Sequence, residues 1–112
     1  MTGKFEISKS KNGKFLFNLK AGNGQVILTS QMYDSKADAT QGIASCKTNA
    51  AVDERFARAE SSAGQPYFNL KSSNGQVIGR SEMYASEASR DNGIASVKAN
   101  APSADTKDLT EA

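Results

Sequence analysis

A chain of 112 residues, 38% hydrophobic and 23% charged, has the size and composition of one folded domain and not of a disordered segment. Its net charge of +2 decides little; its single cysteine rules out an internal disulfide, and the absence of histidine excludes serine–histidine and cysteine–histidine nucleophile pairs. No apolar run is long enough to span a bilayer, and the start "MTGKFEIS" lacks a signal-like apolar stretch, so the expected location is the cytoplasm.

The first elements read as strands separated by turns. "KFEIS" leads to Asn12-Gly13, "KFLFNLK" leads to Asn23-Gly24, and "QVILTS" follows. Asn-Gly between β-prone runs predicts a tight hairpin in which both turn residues take positive φ. Lys4, Lys9, Lys11 and Lys14 gather around the first turn, a cluster read as a solvated hairpin tip before an anion site. Along the middle strand Phe15, Phe17 and Leu19 point one way and Leu16, Asn18 and Lys20 the other. A helix comes next, capped by Ser35 with Asp38 at its third position and running to about Asn49. Ala39, Ile43, Cys46 and Ala50 form its apolar stripe, and Cys46 is expected to be a core residue. Gly42 sits beside the stripe in mid-helix, where glycine costs about 1 kcal/mol relative to alanine, so a close approach of the helix backbone to the sheet is expected there.

The same series then repeats. Lys4–Ala51 aligns with Arg55–Pro102 without a gap at an offset of fifty-one, and about half of the positions are identical. "FNLKAGNGQVI" returns as "FNLKSSNGQVI", Met32-Tyr33 as Met83-Tyr84, and "GIAS" at Gly42 as "GIAS" at Gly93. "RFARAE", "PYFNLK" and "QVIGRS" take the strand positions, Ser86 caps the second helix, and its stripe is Arg90, Ile94, Val97 and Ala101. The expected fold is therefore α+β: two tandem β-β-β-α repeats, residues 4–53 and 55–105 of a single domain, related by a pseudo-two-fold axis. Both helices pack on one face of an antiparallel sheet. Composition makes residues 106–112 a polar tail.

The pairing of "NGQVI" with "GIASCK" and "GIASVK", carried over nearly the whole chain, resembles the YegP-like family of small bacterial proteins of unknown function. The resemblance implies a short extra strand after each helix that crosses to the other half. It would place such strands in "VDERF" and "DTKDLT". It implies no activity, substrate or cofactor.

Three functional readings follow from the residues. Catalysis would have to rest on carboxylates, lysine, tyrosine or Cys46, and neither a phosphate-cradling loop nor metal-ligand spacing is present, so no catalytic residue, metal or cofactor is expected. Single-stranded nucleic acid could meet an outward sheet face bearing Asn18, Lys20, Asn69, Lys71 and the aromatic Tyr67. The favoured reading is a monomeric, non-catalytic module that binds a protein or a small ligand, with those same five residues as its contact surface. Lysines and asparagines repeated on the outward face have no structural duty in the strand pattern.

Overall fold

The computed structural model describes residues 3–110. Seven strands form one sheet: β1 (Lys4–Lys9), β2 (Phe15–Lys20), β3 (Val26–Ser30), β4 (Phe56–Glu60), β5 (Pro66–Lys71), β6 (Val77–Arg80) and β7 (Asp105–Asp108). Helix α1 (Lys36–Ala50) follows β3, and α2 (Glu87–Asn100) follows β6. The strand order is β4-β5-β6-β3-β2-β1-β7, so two antiparallel meanders join edge to edge through β3 and β6. There Thr29 pairs with Arg80, which is its own counterpart at the fifty-one-residue offset. The pseudo-two-fold axis therefore passes between these two residues.

Alternation drives one face of the sheet into the core. Phe5, Phe17, Leu19, Leu28, Phe68 and Leu70 are fully buried, and Ala39, Ile43, Cys46 and Ala50 meet them from α1 as their spacing requires. Each half contains an edge-on phenylalanine pair, Phe5–Phe17 at 5.6 Å and Phe56–Phe68 at 5.7 Å. Contact on the axis breaks the symmetry. An added Cβ on Gly79 would stand 3.0 Å from Leu28 Cγ and 2.9 Å from Thr29 O, so the position matching Leu28 must be glycine for Leu28 to fit. Buried Ser30 and Ser81 accept the Phe17 and Phe68 N–H groups at 2.8 and 3.0 Å, where the register leaves those donors without a ladder carbonyl.

Ser35 and Ser86 cap the helices, each accepting the N–H of the third helical residue at 3.1 Å. The turns differ from expectation. Among the described residues only glycines have positive φ: Gly13, Gly24, Gly64 and Gly75, between 81° and 86°. In the first turn Gly13 N–H donates to Ser10 C=O and Ser10 N–H to Lys14 C=O, giving a longer loop than a two-residue hairpin. Asn12 contributes through its side chain, which accepts the Lys14 N–H. At the mid-helix glycines the close approach is made through side chains. A Cβ on Gly42 would strike Tyr33 Oη and lie 2.8 Å from its Cζ and 3.0 Å from Cε2 of Phe17 on β2, so the helix does lie close to the sheet there, with a tyrosine ring as its nearest neighbour.

After α2 the chain makes one 3₁₀ turn and enters β7, parallel to β1 of the other half, with Lys4 opposite Asp105 and Ile7 opposite Asp108. The strand implied for "DTKDLT" is thus present, and residues 106–108 of the segment read as polar tail belong to it. Residues 111 and 112 of that tail lie outside the described residues. "VDERF" holds no separate strand: a 3₁₀ turn at Asp53–Arg55 runs straight into β4. The two ends of the sheet consequently differ. Beside β7, Ile7 is buried at 2% exposure; on uncovered β4 its counterpart is Arg58, half exposed and paired with Asp91 of α2 at 3.0 Å. An inward-pointing charge of this kind restricts which strands can pair with the edge.

Candidate functional site

The helices leave the opposite face of the sheet open. Strand register carries one row of side chains across all seven strands on that face: Ala57, Asn69, Arg80, Thr29, Asn18, Glu6 and Lys107. Asn18 and Asn69 stand symmetrically about the axis, each one strand from Thr29 or Arg80. Lys20 and Lys71 lie two residues further along their strands, and Tyr67 flanks Asn69 on the other side. All five sequence-derived candidates thus share the open face, and all are half-buried.

Their surroundings are unequal. In the first half the polar groups satisfy one another: Thr29 Oγ1 donates to Asn18 Oδ1 at 2.7 Å, and Lys20 Nζ pairs with Glu6 at 2.9 Å, where Glu6 is only 14% exposed. In the second half Ala57 replaces Glu6 and Arg80 replaces Thr29. Among the described residues the side chains of Tyr67, Asn69, Lys71 and Arg80 have no hydrogen-bond or ion-pair partner. Tyr67, Asn69 and Arg80, with Thr29, Gln31 and Glu82, line a depression of about 410 Å³ at the axis, within the roughly 300–1,000 Å³ of small-ligand sites. It carries both signs of charge, and Lys71 adds a second cation beside it.

Arg80 and Glu82 are not legible as repeated residues: Tyr67 apart, the candidate surface consists of residues common to both repeats, whereas Thr29 and Gln31 stand at the matching positions of the first. Residues at the axis are free to differ, and the signal there is the exchange of Thr29 for Arg80 within matching strands. Two of the four lysines around the first hairpin are engaged elsewhere: Lys14 pairs with Asp34 at 2.7 Å, and Lys9 lies 5.6 Å above the Phe15 ring. Cys46 is fully buried, and desolvation pushes its thiol up to about 12, which leaves it without a nucleophilic thiolate near neutrality. Among the described residues no cluster of acidic residues or cysteine could hold a metal ion, and no helix is long and apolar enough to cross a membrane.

Comparison with known proteins agrees with this architecture. The pattern of DUF1508, a domain of unknown function, matches twice, at residues 10–56 and 61–108. UPF0339 protein YegP of Escherichia coli K12 is 54% identical over 110 residues, covering 98% of this chain and all of that protein. A UPF0339 protein of Bordetella pertussis is 54% identical over 112 residues, with complete coverage of both. The solution NMR structure of E. coli yegP, itself described as a protein of unknown function, superposes with a TM-score of 0.94 at 53% identity, covering this chain fully and 97% of that one. That of a UPF0339 protein from Shewanella oneidensis gives 0.92 at 52%, covering 98% and 93%. With both repeats matched and the sheet superposed from end to end, the chain belongs to the DUF1508 family, in the two-repeat form shared with the YegP proteins.

Proposed function

We propose that the protein is a non-catalytic binding module that meets its ligand with the helix-free face of its sheet, at the axis and across the second half. One observation carries the reading. Matched positions are neutralised in the first half, by Glu6 on Lys20 and Thr29 on Asn18, and left open in the second as Lys71, Arg80 and Asn69. A cation held on a rigid strand without a counter-charge is available to a ligand. We take the protein to act in the cytoplasm as a monomer, its two halves standing where two subunits would.

Single-stranded nucleic acid is the ligand class that the side chains favour. Tyr67 offers a ring for one base, Asn69 an amide for its edge, and Arg80 and Lys71 two phosphate contacts. The test is an amide NMR titration of the labelled protein with short mixed-sequence single-stranded DNA and RNA, at low and at physiological salt. Shifts should centre on Tyr67, Asn69, Lys71 and Arg80. Two phosphate contacts to a single strand give a slope of roughly −1.4 in log K against log salt, and Lys71→Ala should halve it. An unmoved spectrum at low salt would remove nucleic acid from consideration; shifts confined to the first half would overturn the choice of surface.

A further inference from the structure

Among the described residues, the sheet has two ends of which one, β1, is covered by β7 and the other, β4, is not. On β1, Leu109 N–H donates to Ile7 C=O at 2.8 Å, so the main-chain groups of Phe5 and Ile7 turn toward β7. β4 pairs with β5 in the same register as β1 with β2, so the main-chain groups of Phe56 and Arg58 turn away from β5. Phe56 N–H closes the 3₁₀ turn on Asp53 C=O. Phe56 C=O and both main-chain groups of Arg58 are left without a strand partner among the described residues. The fifty-one-residue offset puts a seat for a four-residue parallel strand along Arg55 to Arg58, equivalent to the place that β7 occupies along Lys4 to Ile7. The chain cannot fill this seat itself, because the segment after α1 is β4.

Charge determines what fits. In the filled seat the fourth strand residue, Asp108, lies opposite Ile7 and is held by Lys36, the first residue of α1, at 2.8 Å. In the vacant seat the position of Lys36 is Glu87, the first residue of α2, and that of Ile7 is Arg58, already paired with Asp91. Among the described residues Glu87 has no cation within ion-pair distance. A carboxylate at the fourth position would therefore meet Glu87 and Asp91, with Arg58 committed. An ammonium or guanidinium there would find the counter-charge that Asp108 finds in Lys36.

We propose that the outer edge of β4 is a docking site for an extended segment of a partner protein, which adds parallel to the strand and carries lysine or arginine at its fourth position. Main-chain hydrogen bonds hold such a segment, and the side chain facing Glu87 selects it. The same inversion of charge turns away the β7 segment of a second copy, which carries Asp108.

Two peptides copying Ser103–Thr110 test this, one with the native sequence and one with Asp108→Lys, each titrated into the isotope-labelled full chain. The lysine peptide should shift the amides from Arg55 to Glu60, and the native peptide should bind there about tenfold more weakly. Glu87→Lys in the protein should reverse the preference, with an unchanged amide spectrum away from α2 and β4 establishing that the variant is folded. Equal binding of the two peptides, no binding by the lysine peptide at millimolar concentration, or shifts confined to β1 would each overturn the proposal. None of these outcomes depends on the open sheet face.

Discussion

Replacing Gly93 by alanine sets two effects of known size against each other. Alanine is favoured over glycine inside a helix by about 1 kcal/mol. The new methyl group would, however, strike Tyr84 Oη and lie 2.6 Å from Tyr84 Cζ and 3.2 Å from Cε2. That ring is stacked nearly parallel on fully buried Phe68, 6.4 Å between centroids, so it cannot retreat without opening the core. Overpacking of this kind costs about 1–3 kcal/mol, so Gly93→Ala alone should destabilise by about 0–2 kcal/mol. In a Tyr84→Ala background the three nearest atoms are gone, and the same change should stabilise by about 1 kcal/mol. Urea unfolding of the four variants closes the cycle, with a coupling of about 1–3 kcal/mol between the two sites. The first repeat supplies an internal control. A Cβ on Gly42 also lies 3.0 Å from Phe17 Cε2, so Gly42→Ala should gain less from Tyr33→Ala than Gly93→Ala gains from Tyr84→Ala. Stabilisation by Gly93→Ala in both backgrounds would refute the assignment of the glycine to tyrosine packing.

Other expectations follow from groups held inside the fold. Burial raises the Cys46 thiol from 9.0 to about 12, so the unfolded chain loses its proton first and stability falls as pH rises above 9, by up to about 1.4 kcal/mol per pH unit. Cys46→Val, which copies Val97 of the other repeat, should remove that part of the alkaline loss and leave the part above pH 10 that belongs to half-buried Tyr33 and Tyr84, whose hydroxyls partial burial also raises; chemical denaturation across pH 8–11 measures it. Cys46 should also resist a thiol reagent at neutral pH until denaturant is added, and rapid labelling of the native protein would contradict its burial. Ser30→Ala strands the buried Phe17 N–H and should cost about 1–3 kcal/mol, as should Ser81→Ala for Phe68; a neutral effect in urea unfolding would mean that another acceptor reaches the donor.

The parts of the fold legible in the sequence were those set by local periodicity. Alternation placed Phe17 and Leu19 inside, helical spacing placed Ile43 and Cys46 against them, and Ser35 and Ser86 marked the helix starts. What composition concealed was long-range pairing. "DTKD" has the makeup of a tail and becomes a strand only because β1 offers an edge with the right register and Lys36 holds Asp108. Asn-Gly does not fix the turn geometry by itself, because it is compatible with two loop lengths and the flanking main chain selects the longer. Of the contact surface, Asn18, Lys20, Tyr67, Asn69 and Lys71 were readable from strand alternation. Which of them are neutralised was not, because Glu6 and Thr29 reach Lys20 and Asn18 from neighbouring strands.

The pairing of Thr29 with Arg80 has a consequence for what this molecule can become that two separate subunits cannot. In a homodimer any residue on the dyad faces itself, so a substitution there acts twice and at once: two leucines collide, or two arginines repel. Joining the halves in one chain lifts that restriction. Leu28 can face glycine, and Arg80 can lie beside threonine, at the one place on the sheet where identity would be most costly. The halves have become as a result mutually fitted and no longer interchangeable. A chain made of the first half twice would bring two leucines to the position where Gly79 now yields to Leu28, and the sheet would be strained at its centre before either half had lost a residue of its own core.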